Sequence, residues 1–190
     1  SPSKGIIAHD FPYIEIAGKY EKAGASAISV LTEPDFFMGD NSYLTDIGKN
    51  VWIPLLRKDF IVDEYMIYES KVIGADAILL ICALLAPETL KQYLELSHSL
   101  GMSALVEAHD EAEVNMAIDA GAKIIGVNNR NLKTFEVDIS NSAQLKKLIP
   151  EDVIFVSESG IRDRNDIEYL VKNGADAVLG SVKFDMKKRF

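Results

Sequence analysis

Several ionisable or amide side chains stand where short apolar runs give way to polar residues. Lys58 follows "WIPLL" (52–56), Glu107 lies inside "SALVEA" (103–108), Asn128 and Arg130 follow "KIIGV" (123–127), and Glu158 ends "VIFVSE" (153–158). A lysine that closes a buried strand must be desolvated or paired. Desolvation draws its pKa toward neutrality and makes it a useful acid. A carboxylate inside an apolar strand is costly unless it has a partner or a task. Each residue also has a plainer reading. Lys58 could be a loop lysine paired with Asp59 or Asp63, and Glu107 and Glu158 could belong to core ion pairs. Asn128 and Arg130 could cap a helix or tie loops together.

A second group suits an anion. Ser159-Gly160 and Gly180-Ser181 follow the last two apolar runs, and "SPSKG" opens the chain with Ser1 and Ser3. Glycine lets a backbone come close to a phosphate, and hydroxyls and amides supply donors. The alternative is two ordinary glycine turns. Phe37 and Phe60 flank strand ends and could wall a planar apolar ligand, or simply pack. His9, His98 and His109 share no metal-ligand spacing, so no metal is assigned, and His109 is expected to leave its strand for the next helix. Cys82 lies in "AILLICALL", which predicts a buried, inert thiol.

The elements that must position these groups alternate along the chain. The runs "ASAISVL", "WIPLL", "AILLI", "SALVEA", "KIIGV", "VIFVSE" and "DAVL" are short and rich in Ile, Val and Leu. Strands of a parallel sheet covered on both faces read this way. Amphipathic stretches lie between them, and five end at Gly24, Gly74, Gly101, Gly121 and Gly174, natural helix stops. Seven strand–helix units result. Their short, even length favours a (β/α)₈ barrel over a doubly wound sheet, and no G-x-G-x-x-G follows the first strand. In a barrel the functional groups gather at the C-terminal strand ends, where the residues above recur. The 190 residues carry 48% hydrophobic side chains and a net charge of −9. That composition fits a folded globular protein and argues against nonspecific binding of nucleic acid or anionic membrane. With one cysteine and no apolar run long enough to span a bilayer, a reducing cytoplasm is the expected setting.

"SPSKG", "ISVLTEPDFF", "LRKDFIVDEY", "GADAILLI", "LVEAHDEAE", "IIGVNNRNLKTFEVD" and "VSESGIRDRNDI" together resemble indole-3-glycerol phosphate synthase, the barrel enzyme of tryptophan biosynthesis, in order and spacing. The resemblance implies a TIM (β/α)₈ barrel that closes a ring on 1-(2-carboxyphenylamino)-1-deoxyribulose 5-phosphate, with loss of carbon dioxide and water and no metal or organic cofactor. It implies Lys58 as the acid of ring closure and Glu107 as the carboxylate near the substrate amine. Asn128 would bind substrate, Arg130 would organise the carboxylates and Glu158 would complete the polar ring. Ser1, Ser159, Gly160, Gly180 and Ser181 would hold the phosphate, and Phe37, Phe60, Leu79 and Leu132 would line the pocket.

The resemblance also implies that "SPSKG" is the loop after a first strand bearing a Glu-x-Lys pattern. Neither that strand nor the family's N-terminal helix is in these 190 residues, and "VKFDMKKRF" departs from the family's ending. The expectation is therefore one N-terminally truncated barrel domain over 1–190. The family is monomeric, but exposed strand edges could drive association here. Loss of the Glu-x-Lys pair would slow turnover. The alternatives are an impaired barrel fragment or engineered scaffold that keeps its phosphate grip, and a phosphoribosyl-anthranilate isomerase-like barrel, against which Lys58 and "NNRNLKTF" speak.

Overall fold

The computed structural model describes residues 11–130 and 136–180. Ser1, Leu132 and Ser181 lie outside these residues. Helices and strands alternate in the order α1 (Tyr13–Lys22), β1 (Ile28–Leu31), α2 (Asn41–Gly48), β2 (Leu55–Lys58), α3 (Glu64–Val72), β3 (Ala77–Ile81), α4 (Pro87–Ser99), β4 (Ser103–Ala108), α5 (Glu111–Asp119), β5 (Ile124–Asn128), α6 (Ser140–Leu145), β6 (Ile154–Glu158), α7 (Arg164–Lys172) and β7 (Ala177–Leu179). The strands form one parallel seven-stranded sheet in chain order.

Local chemistry fixes where the helices begin and end. Asp40, Asp63, Asp110 and Asp163 each accept a backbone N–H of the first turn, at α2, α3, α5 and α7. Pro87 opens α4. All five predicted stop glycines have positive φ, from 71° at Gly101 to 95° at Gly74, the left-handed cap that ends a helix without a Cβ penalty. After two of these turns the same device recurs. The Asp76 carboxylate accepts the Leu55 N–H at 2.8 Å while the Asp76 N–H donates to the Leu55 carbonyl at 3.0 Å. Asp176 does the same to Phe155, at 2.8 and 2.9 Å.

Successive residues of each strand face opposite sides, and the core divides accordingly. Ile78, Leu80, Val106, Ile125, Val127 and Phe155 pack with the helices in the larger cluster. Truncating a fully buried Leu80 to Ala would cost about 2–5 kcal/mol. Leu56, Leu79, Ile81, Leu105 and Val156 form a second cluster, with Ile124, Leu179 and Phe60 against it. Residues from β2 to β7 can share one cluster only if the sheet curls around it, so the smaller cluster is the plug of a TIM-type barrel. The expected fold class is what the chain adopts.

Several strand boundaries differ from the sequence reading, β1 starting at Ile28 and β5 running Ile124–Asn128, and the shift of β2 bears most on the site. β2 begins at Leu55 and runs through Lys58, where "WIPLL" placed it at 52–56. Trp52 is 97% exposed, its backbone N–H donates to Glu21 Oε1, and Pro54 cannot donate to a sheet ladder. Lys58 and, on β5, Asn128 are the last residues of their strands rather than loop residues. The helices α2 and α6, absent from the sequence reading, are both short.

Candidate active site

The side chains one step beyond the apolar plug are polar. Lys58, Glu107, Asn128 and Glu158 each lie two residues past Leu56, Leu105, Gly126 and Val156, so strand alternation turns them toward the same axis. Lys58 Nζ stands 3.7 Å from Glu107 Oε2 and 3.9 Å from Glu158 Oε2. In a flat sheet β2 and β6, four strands apart, would be separated by about 19 Å. Barrel curvature brings Lys58 and Glu158 together, and Lys58, Glu107 and Glu158 come from alternate strands, as a layer of a TIM barrel does, with Asn128 joining from β5 between them. Asn128 Nδ2 donates to Glu107 Oε1 at 3.1 Å. Asn128 Oδ1 accepts the Arg130 N–H at 3.0 Å, so the backbone of Arg130 is tied to the ring.

The two carboxyls are buried yet differ in kind. Burial would raise the pKa of Glu107, but His109, Lys58 and Asn128 oppose it and hold the group well below the usual carboxylate range. Glu158 moves the other way. Burial, helped by the charge of Glu107 and opposed by Lys58, pushes its pKa up. One carboxyl is thus an anion and its neighbour tends to keep its proton, the separation that lets two like groups take opposite roles. Glu158 Oε1 is buried without a hydrogen-bond partner. Room for it comes from Gly126 on the next strand, where an added Cβ would collide with that oxygen and lie 3.1 Å from Leu105 Cδ1.

An aromatic wall stands beside this ring. Phe37 and Phe60 have centroids 5.3 Å apart, and Phe36 meets Phe60 edge-on at 5.9 Å. The loop carrying Phe36 and Phe37 is held by the Glu33 carboxylate, which accepts the N–H groups of Asp35, Phe36 and Phe37 at 2.9, 2.7 and 2.9 Å. Leu79 is buried in the plug below. On another side, Ser159 and Gly160 adopt φ of 64° and 80°. The Ser159 N–H donates to Leu179 O at 3.2 Å, which brings this turn next to Gly180. The buried Asn129 reaches the same turn, its Nδ2 donating to Ser159 O at 3.2 Å and to Ser157 Oγ at 3.0 Å.

Three features escaped the sequence reading. His109 does follow its strand, but it turns back, with Nε2 3.3 Å from Glu107 Oε1. Asn129, beside the named Asn128, anchors the Ser159 turn. Arg57, beside Lys58, centres a buried network on the helix side. "RKD" and "NNR" carried the signal, since adjacent polar residues on a strand must face opposite sides. Cys82 is buried and its thiol is pushed up to about 12, by burial first and then by Glu113, Glu107 and Asp110, as an inert thiol would be.

The family model described as indole-3-glycerol phosphate synthase matches residues 1–184. The chain belongs to the indole-3-glycerol phosphate synthase family. Its relatives of that name include one from Ruminiclostridium cellulolyticum, 63% identical over 179 residues, 94% of this chain and 69% of the relative. Others are 62% identical in Endomicrobium trichonymphae and 54% in Lacticaseibacillus casei, over the same shares. The function is indole-3-glycerol phosphate synthesis, a carboxy-lyase reaction of tryptophan biosynthesis, and the family match favours it over a scaffold that only binds phosphate. Among solved structures, an N-acetylmannosamine-6-phosphate 2-epimerase from Clostridium perfringens shares the fold, with a TM-score of 0.70 and 16% identity over 93% of this chain and 82% of that one. Among the described residues, no helix is long and apolar enough to cross a membrane.

Proposed function

We propose that Lys58, Glu107 and Glu158 divide the acid–base work of the synthase reaction. In this reading the ring carbon that bears the substrate carboxylate attacks the keto carbon of the ribulose chain, and Lys58 protonates the carbonyl oxygen as it becomes a hydroxyl. Carbon dioxide then leaves, and its electron pair restores the aromatic ring. Loss of water needs a proton for the departing hydroxyl and a base for the adjacent carbon. Glu158, which keeps its proton, is the acid of that step, and the anionic Glu107 stabilises the substrate amine and accepts the proton.

Asn128 binds substrate and Arg130 orders the loop beside it. Phe37, Phe60 and Leu79, with Leu132, line the pocket for the anthranilate ring. Ser159, Gly160 and Gly180, with Ser1 and Ser181, hold the phosphate, whose binding energy positions the reacting end. The substrate is a phosphorylated small molecule, the compartment is the cytoplasm, and residues 1–190 form one barrel domain.

The observation that carries this reading is the ammonium of Lys58 within 4 Å of two buried carboxyls of opposite ionisation tendency. The test is indole fluorescence from the carboxyphenylamino-deoxyribulose phosphate. Lys58→Ala is expected to lower kcat by about 10²–10⁴ while KM changes little. Lys58→Ala turning over at the unsubstituted rate would sink the assignment.

A further inference from the structure

His109 is mostly buried and belongs to no step described so far. It stands in the turn between β4 and α5, with both ring nitrogens facing carboxylates. Nδ1 lies 3.0 Å from Glu113 Oε2 and Nε2 lies 3.3 Å from Glu107 Oε1. The His109 N–H also donates to Glu113 Oε2 at 2.8 Å, and Asn141 Nδ2 donates to the His109 carbonyl at 3.2 Å. Ring and backbone are therefore fixed from two sides. Neutral imidazole carries one N–H and one lone pair. Either tautomer would point its lone pair at a carboxylate oxygen, so only the doubly protonated ring suits both neighbours. Nε2 is buried and its alignment with Glu107 falls short of a full hydrogen bond, so the ring acts on Glu107 through this close polar contact together with its charge.

We propose that His109 is a positioning residue of the synthase site: its imidazolium, clamped by Glu113, holds Glu107 as the anionic member of the carboxylate pair. This inference rests on the role given to Glu107 above.

The charges around the ring fit. Lys58 on β2, His109 beyond β4, Glu107 on β4, Glu113 on α5 and Asp110 capping it, Glu158 on β6 and the thiol of Cys82 before α4 are the titratable groups that face or border it. Two cations, Lys58 and His109, meet three carboxyls, Glu107, Glu113 and Glu158. With Glu107 and Glu113 ionised the cluster is balanced when Glu158 keeps its proton. Without the imidazolium, one cation would face two anions and the proton would no longer be confined to Glu158. The same surroundings act on the ring itself. Burial would lower its pKa, but Glu107 and Glu113 raise it to about 9.

The test combines imidazole proton NMR with the pH profile of kcat/KM for the unsubstituted chain, His109→Gln, Glu113→Gln and Glu107→Gln. The chain has three histidines. One imidazole resonance is expected to titrate far above the usual range, to vanish in His109→Gln and to move down in Glu113→Gln. The acid limb of the kcat/KM profile is expected to rise by about one pH unit in His109→Gln, the effect of removing a neighbouring opposite charge. Glutamine keeps an amide donor where Nε2 stood, so a purely structural histidine would change the melting temperature and leave the limb in place. No high-titrating imidazole, or an unmoved limb in His109→Gln, overturns the proposal. Glu107→Gln separates the two ideas. If it abolishes turnover while the His109→Gln limb stays put, only the histidine's role fails. If Glu107→Gln retains full turnover, the role of Glu107 fails and the proposal fails with it.

Discussion

Arg57 and Lys58 are neighbours on one strand, and their surroundings could hardly differ more. Arg57 points to the helices. Its Nε reaches Thr32 and Asp59, one terminal nitrogen reaches the Met66 carbonyl and Ser70, and the other reaches Asp59 and Glu69. Asp59 also accepts the Thr32 hydroxyl and the Phe60 N–H. Lys58 points into the barrel and lies near two carboxyls at 3.7 and 3.9 Å, beyond hydrogen-bonding distance. Glu158 in that cluster has an oxygen with no partner. A network in which every donor is used has no capacity left for a substrate and serves the fold. A network left short of bonds costs stability and has capacity to spare. Neighbouring residues in sequence can therefore carry different duties, and the face of the strand decides which.

Four variants test this contrast. Exchanging the pair, Arg57→Lys with Lys58→Arg, should have the largest effect. The lysine loses the planar fork that the outer network fills, and the arginine inside cannot give up a proton near neutral pH. Turnover should fall by about 10²–10⁴ and the urea midpoint should drop as well. Retention of either property would mean that the faces are not specialised.

Arg57→Met comes next. Removing one partner strands Asp59 and Glu69, at about 3–5 kcal/mol of unfolding free energy. A loss below about 1 kcal/mol in urea titrations would show the outer network to be dispensable.

Gly126→Ala follows. Its Cβ would displace Glu158 and crowd Leu105, with about 1–3 kcal/mol of overpacking and a fall in kcat. Shortening the neighbour with Glu158→Asp should restore part of the stability.

Glu158→Gln should be smallest and of opposite sign. Because the folded-state pKa of Glu158 is raised, the native chain binds this proton more tightly than the unfolded chain does. The stability from that proton is present below the ordinary glutamate pKa and is lost as pH rises through the raised value. The amide removes this loss. Glu158→Gln should therefore gain about 1 kcal/mol over the parent at alkaline pH, with little or no gain near pH 4, while turnover falls. A gain that is the same at both ends of the pH range would sever the link between the buried proton and stability.

Much of the fold was legible in the apolar runs and stop glycines, since each follows from one local rule. Lys58, Glu107, Asn128 and Glu158 were legible because polar residues at the ends of buried strands need a reason. What escaped depended on facing and distance. "WIPLL" misplaced β2 because hydrophobicity does not reveal that Trp52 turns to solvent. Arg57 and Asn129 went unnamed because their partners Ser70, Glu69 and Ser142 lie on helices 12 or 13 residues away. His109 looked like a linker because its partner Glu107 is only two residues back, near the end of β4, and only the turn after β4 swings the ring toward it.

The paired clasps at Asp76 and Asp176 carry a consequence of a different kind. Each closes a segment of the same length, from Leu55 to Asp76 and from Phe155 to Asp176, by the same pair of contacts, one from the carboxylate and one from the backbone N–H, at the end of the barrel away from the polar ring. The segments are cassettes with matching joints. A recombination crossover at these residues would meet chain that already runs in the right direction and already has its hydrogen bonds assigned, so gene shuffling is expected to trade strand–helix units at these joints with the least disturbance of the frame.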